Sequence, residues 1–224
     1  MRAHTMLLCL TLAAGACGDD GDNGVGPSTG VRLGFFVTSA TSTTANLGGL
    51  QGADALCQRL AESVGAGRRI WRAYLSAEHD PNSGNRPVDA RSRIGTGPWL
   101  NANGITVASS VGELHGRTGN ADVFVDERGQ RINGQWTGSP APVQHDILTG
   151  STAEGTLLAG FTCADWTSSS PSMAAQVGHS DGMGPGGSMA GALASWNSAH
   201  ANASCENTAP RGGAGRLYCF AQTP

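Results

Sequence analysis

Residues 47–76 read LGGLQGADALCQRLAESVGAGRRIWRAYLS. Leu50, Ala53, Cys57, Leu60, Ala61 and Val64 recur at three- and four-residue steps, the period of one apolar helix face. The spacing predicts an amphipathic helix from Gly49 to Val64, stopped by Gly65 and Gly67. Directly after it, Ile70, Arg72 and Tyr74 alternate with Trp71, Ala73 and Leu75, which predicts a strand over Ile70–Ser76.

Upstream, RLGFFVTS (Arg32–Ser39) is an apolar, aromatic run that reads as another strand. Downstream, EHDPNSGNRP has the signature of an exposed loop. Short strands are expected at Ile105–Ala108, Asp122–Asp126, Gln135–Thr137, Phe161–Ala164 and Leu217–Phe220. From Gly178 to Gly191 the chain carries too little side chain to pack, which predicts a long mobile loop. Few helices, short strands and much loop make an α+β domain that needs covalent staples.

The 224 residues carry 14 basic residues, all arginine, against 17 acids, a formal charge of −3. That balance excludes a general nucleic-acid binder, which would show a basic stripe. Gly 34 and Pro 10 stay under the level of a low-complexity chain. The length fits one globular domain plus ends.

The N-terminus, MRAHTMLLCLTLAAGAC, has the parts of a secretory signal over residues 1–16. Arg2 is its positive end, Met6–Ala14 an apolar run too short to span a bilayer, and Ala14, Gly15 and Ala16 its small residues. It resembles the bacterial lipobox, which implies lipidation of Cys17, with Ala14 where that family prefers leucine. Residues 17–31 are acidic, glycine-rich and nearly free of apolar groups, as befits a tether. The expected domain is 32–224, exported and anchored by its lipid at the outer membrane or cell surface.

Of six cysteines, Cys9 leaves with the signal and Cys17 is the lipid site. Cys57, Cys163, Cys205 and Cys219 remain, an even number that implies two disulfides with three possible connectivities. Spacing argues against zinc, because no CxxC pair or HxxxH partner accompanies them, and no metal site is expected.

Residues 47–76 resemble the helix-and-strand block of endostatin, the C-terminal domain of some basement-membrane collagens. The likeness lies in the Gly52-Ala53-Asp54 turn, the helical cysteine and the Arg72-Ala73 and Leu75-Ser76 strand. QWTGS (Gln135–Ser139), TCADWTSSSP (Thr162–Pro171), Cys205 and LYCF (Leu217–Phe220) follow in the same order. Bacterial surface lipoproteins with endostatin-like domains, described in spirochaetes, are similar too. The resemblance covers about Leu33 to Phe220, with a poorly matching middle from about Glu78 to Asn133. It implies an endostatin-like variant of the C-type-lectin fold, with a twisted, mostly antiparallel sheet, one main helix and long loops. It also implies nested disulfides, Cys57–Cys219 and Cys163–Cys205. Endostatin's zinc site uses histidines near its mature N-terminus that nothing here matches, so no metal or cofactor is carried over.

Catalytic patterns are weak. GMGPGG (Gly182–Gly187) matches G-x-G-x-x-G but neither follows a predicted strand nor opens a helix. Ser188, with His179 and Asp181 nearby, only superficially resembles a nucleophile elbow, since Ala190 stands where glycine belongs. Ser198 replaces the aspartate of a calcium-dependent sugar site, and a hard cation wants several oxygen ligands. The five tryptophans (Trp71, Trp99, Trp136, Trp166, Trp196) are read as core. Arg59, Arg68, Arg69 and Arg72, with Arg91 and Arg93 beyond, form the one candidate ligand-binding patch, and endostatin's arginine-rich face implies heparin-like sulfated glycan.

The expected function is that of a lipid-anchored, non-catalytic binding or adhesion module for a protein or glycan. The spirochaete likeness implies host matrix and complement proteins as the partner class. The alternatives are an envelope hydrolase with its site at residues 178–191 and a purely structural envelope lipoprotein.

Overall fold

Helix α1 (Gly49–Ser63) buries Leu50, Ala53, Asp54, Cys57 and Ala61, close to the periodic set. Gly65, at φ 78°, takes the left-handed conformation that ends it, where a side chain would be strained. The computed structural model describes residues 1 and 32–222. The signal, Cys17 and the tether lie outside the described residues. The chain divides after Gly30, and the fold below is that of the unit Val31–Pro224.

Gly52-Ala53-Asp54, expected as a turn, lies within α1, and Asp54 docks that helix on the sheet. Its carboxylate accepts from the Ala73 N–H at 2.9 Å and from Arg72 and Arg93 at 2.9 and 2.7 Å. These contacts saturate a buried charge that would otherwise be costly.

In chain order the strands are β1 (Phe35–Val37), β2 (Trp71–Ala73), β3 (Ala77–Asp80), β4 (Arg86–Val88) and β5 (Trp99–Leu100). They continue as β6 (Thr106–Ala108), β7 (Asp146–Leu148), β8 (Gln176–His179), β9 (His200–Ala201) and β10 (Gly213–Ala221). The main sheet runs β1-β10-β7-β8-β9, with β2 also on β10. Its pairs are antiparallel except β10 with β7. The sequence-predicted strands at 32–39, 70–76 and 105–108 each contain an observed strand, and 217–220 lies within β10.

Both faces of the sheet are covered. Phe36, Trp71, Ala73, Leu217 and Cys219 pack with α1, whereas Phe35, Val37, Tyr218 and Phe220 face an aromatic core with Trp99, Phe124 and Trp196. Strand alternation divides the residues of β1 and β10 between the two cores. Of the five tryptophans, Trp71, Trp99, Trp166 and Trp196 are fully buried. Trp136 is half-buried, with Arg131 over its ring.

The disulfides are Cys57–Cys219, which ties α1 to β10, and Cys163–Cys205.

Several local expectations are corrected. EHDPNSGNRP contributes to the antiparallel pair β3–β4, because Asp80 caps the intervening turn through Asn82 N and Ser83 Oγ. At Asp122–Asp126, Val123 and Phe124 turn back onto the Asn120 carbonyl, and only Asp126 makes a β-bridge, parallel to Val37, with Val125 O accepting from Val37 N at 2.8 Å. Gln135–Thr137 forms no strand, since Gln135 N is given to the Asp181 carboxylate. At Phe161–Ala164 only Thr162 makes a β-bridge, and Cys163–Trp166 is a left-handed turn with φ of 50°, 50°, 55° and 67°. Such residues cost about 1–2 kcal/mol each. The cost is offset by the Cys163–Cys205 bond, by Trp166 Nε1 donating to Ser76 O, and by Asp165 accepting from the N–H groups of Glu78 and His79.

Candidate metal centre

The expected loop at 178–191 begins inside β8. His179 closes that strand, and Ser180 and Asp181 are buried after it. Sheet register brings His179 to other polar residues. Asp146 opens β7 directly opposite His179, and His200 opens β9 opposite Val177. Because side chains alternate along a strand, Val177 and His179 share a face, so Asp146, His179 and His200 meet on it. His145 joins from the residue before β7.

Three imidazole Nε2 atoms and one carboxylate converge. Asp146 Oδ1 lies 3.3 Å from both His145 Nε2 and His179 Nε2, and Oδ2 lies 3.5 Å from His200 Nε2. His179 Nε2 and His200 Nε2 are 2.9 Å apart. The His145 and His179 rings stack at 4.2 Å with an interplanar angle of 12°. The side chains of His145, Asp146 and His179 are at most 4% exposed, and that of His200 is 26% exposed.

The second ring nitrogens fix the tautomers. Nδ1 of His145 faces Asp181 Oδ1 at 2.7 Å, that of His179 the Leu193 carbonyl at 2.9 Å, and that of His200 the Ala201 carbonyl at 2.9 Å. Each of those partners accepts, so each Nδ1 carries a proton, and in the neutral ring each Nε2 presents a lone pair. Two lone pairs then confront each other across the His179–His200 contact. Both oxygens of Asp146 are buried without a hydrogen-bond donor. Cationic centres are missing from this chemistry, and an ion among the four donors would supply one.

The ligand atoms of His145, Asp146 and His179 lie within 4.8 Å of one another, and His200 Nε2 joins them at 2.9 Å from His179 Nε2 and 3.5 Å from Asp146 Oδ2. With metal–nitrogen bonds of about 2.0–2.1 Å, the edges of a tetrahedral site are about 3.3–3.4 Å. Asp181, the outer partner of His145, is itself firmly held. Burial alone would raise its carboxyl, but the His145 hydrogen bond, with those of the Gln135 and Met183 N–H groups, brings it below the ordinary carboxylate value. Gly134 makes room for it: a Cβ there would stand 2.2 Å from Asp181 Oδ2. Gly178 lets the 196–197 segment pass beside β8, since a Cβ would lie 1.9 Å from the Trp196 carbonyl oxygen.

The residues picked out from sequence lie elsewhere. Ser188 is exposed, whereas the His179 nitrogens face Leu193 and His200 and the Asp181 carboxylate faces His145, Gln135 and Met183. Arg59 and Arg68 are exposed, on α1 and in the link to β2. The Arg69 guanidinium sits 5.5 Å over the Trp71 ring, and burial, then the Arg32 charge, lowers its pKa. Arg72 and Arg93 are bound to Asp54. The histidine cluster went unassigned because its members are scattered in sequence; His179 and His200 are 21 residues apart. The available signal was a polar residue ending a short apolar run, as in HDIL and QVGH.

Among comparisons with known proteins, no family model matches this chain and no curated protein matches it.

Proposed function

We propose that this domain is an exported, non-catalytic binding module built around a transition-metal ion held by His145, His179, His200 and Asp146. One observation carries the reading: the Nε2 atoms of His179 and His200 face each other at 2.9 Å beside a buried carboxylate that has no donor. Three imidazole nitrogens with one carboxylate suit zinc, whereas calcium and magnesium take oxygen shells. The carbonyls and the Asp181 carboxylate behind the rings are the outer partners that orient metal-bound histidines.

Export is supported by the two disulfides, which persist in oxidising compartments. Attachment through a lipid on Cys17 and an endostatin-like form of the C-type-lectin fold belong to the same proposal. The fold assignment draws on the nested disulfides and on the helix packed against a mostly antiparallel sheet. A non-catalytic role is favoured over a Ser188 hydrolase because His179 and Asp181 are engaged away from Ser188.

Zinc titration of the chelator-stripped full chain against a chromophoric chelator tests this. One ion per chain is expected in wild type. Asp181→Asn should weaken binding by ~10–100-fold, the usual cost of removing an outer-shell partner, and Asp146→Asn by more. Wild-type affinity in Asp146→Asn would overturn the assignment.

A further inference from the structure

The ring of histidines forms the floor of a cavity of about 360 Å³, lined by Gln135, His145, His179, Pro185, Leu193, His200 and Arg211. Asp146 does not line it. An ion held among the four would therefore be reached from the side on which His145, His179 and His200 line the cavity. Resting on the metal reading above, we propose that this side is an open coordination position that binds the carboxylate of a small monoanionic ligand.

Charge selects the class. A divalent ion beside Asp146 leaves one net positive charge, and Asp181 behind neutral His145 offsets that further. Arg211 is the one cation lining the cavity. Its Nη1 donates to the Ala201 carbonyl at 3.0 Å, which fixes the fork beside His200 and leaves further N–H donors for a carboxylate. One arginine and a largely neutralised ion suit a single negative charge better than a phosphate dianion. Pro185 and Leu193 offer apolar wall for the rest of the ligand, and the Gln135 amide adds a donor. The size is that of small-molecule sites, about 300–1,000 Å³.

Cobalt separates this inference from the reading beneath it. The full chain, stripped with chelator and loaded with Co²⁺, is expected to develop visible d–d bands. Benzoate should then shift and weaken those bands as a further ligand enters, saturably, with inorganic phosphate far less effective. Arg211→Gln should bind cobalt like wild type yet need about tenfold more benzoate, the loss of one charge-assisted pair. Cobalt bands that no carboxylate moves would mean a closed four-ligand site, overturning this inference while leaving the metal centre intact. Absence of any cobalt band would overturn both. A stronger response to phosphate than to benzoate, or an unchanged benzoate titration in Arg211→Gln, would overturn the carboxylate assignment.

Discussion

Asp54, on helix α1, and Asp146, the first residue of β7, are both buried aspartates, and they are treated in opposite ways. Asp54 receives the Ala73 N–H and two guanidinium groups. Asp146 receives no donor on either oxygen. The histidines repeat the contrast. His115 and His179 share a tautomer, donating from Nδ1 to the Val111 and Leu193 carbonyls at 2.7 and 2.9 Å. At Nε2, His115 accepts the Tyr74 hydroxyl at 2.8 Å, whereas His179 meets another imidazole. Around Asp54 and His115 the polar network closes with the chain's own groups. At the end of β7–β9 the network lacks one positive centre, and that is the mark of a site.

Breaking the closed network should cost most. Asp54→Ala leaves Arg93, whose side chain is 10% exposed, without its carboxylate. A loss of about 3–5 kcal/mol is expected in denaturant titration, the same with and without zinc. A zinc-dependent loss would merge the two regions that the structure separates.

The open network should behave differently. Zinc at 100 times its Kd should stabilise wild type by about 2.7 kcal/mol and leave Asp146→Asn unmoved. Without metal, Asp146→Asn should be at least as stable as wild type, because it removes a buried charge rather than a satisfied one. A large loss of metal-free stability would show that Asp146, like Asp54, is structural.

Gly178→Ala sharpens the link between packing and ligand geometry. The added methyl meets the Trp196 carbonyl, so about 1–3 kcal/mol of overpacking strain is expected. Zinc affinity should fall with it, since His179 is the next residue. Retained affinity would place the strain elsewhere in the strand.

The smallest effect concerns His115. Burial chiefly holds its pKa below 6.5, with Arg91 lowering it further against the Val111 carbonyl and Glu154. The unfolded chain therefore takes up this proton first, and stability should fall as pH drops below about 6.5 toward the folded value. In chelator-treated protein, His115→Gln should flatten part of that limb. An unchanged slope would remove His115 from the acid response.

What was legible in the sequence follows from period and length. Helix α1 spans four turns of regular apolar spacing, and β1, β2 and β10 sit in aromatic runs, so their periods were readable. Strands β7, β8 and β9 have two to four residues, too few to show a period, and each ends or begins on a site residue. Convergence of His145, His179 and His200 depends on register between those strands, which no local pattern encodes. The left-handed turn was hidden for a different reason. Thr162-Cys163-Ala164-Asp165 holds no glycine to announce positive φ, and the conformation is imposed by tertiary partners.

Strand β10 lies between β1 and β7, and its residues 219–221 also pair with β2. Three partners separated widely along the polypeptide thus wait on a segment that leaves the ribosome after all of them. Such long-range topology folds slowly, because loop closure precedes the contacts that reward it. During synthesis Cys57 has no Cys219 to meet, while Cys163 can already reach Cys205, 42 residues on. Oxidation is therefore ordered: the inner bridge can close on a partly emerged chain, and the outer bridge records that assembly is complete.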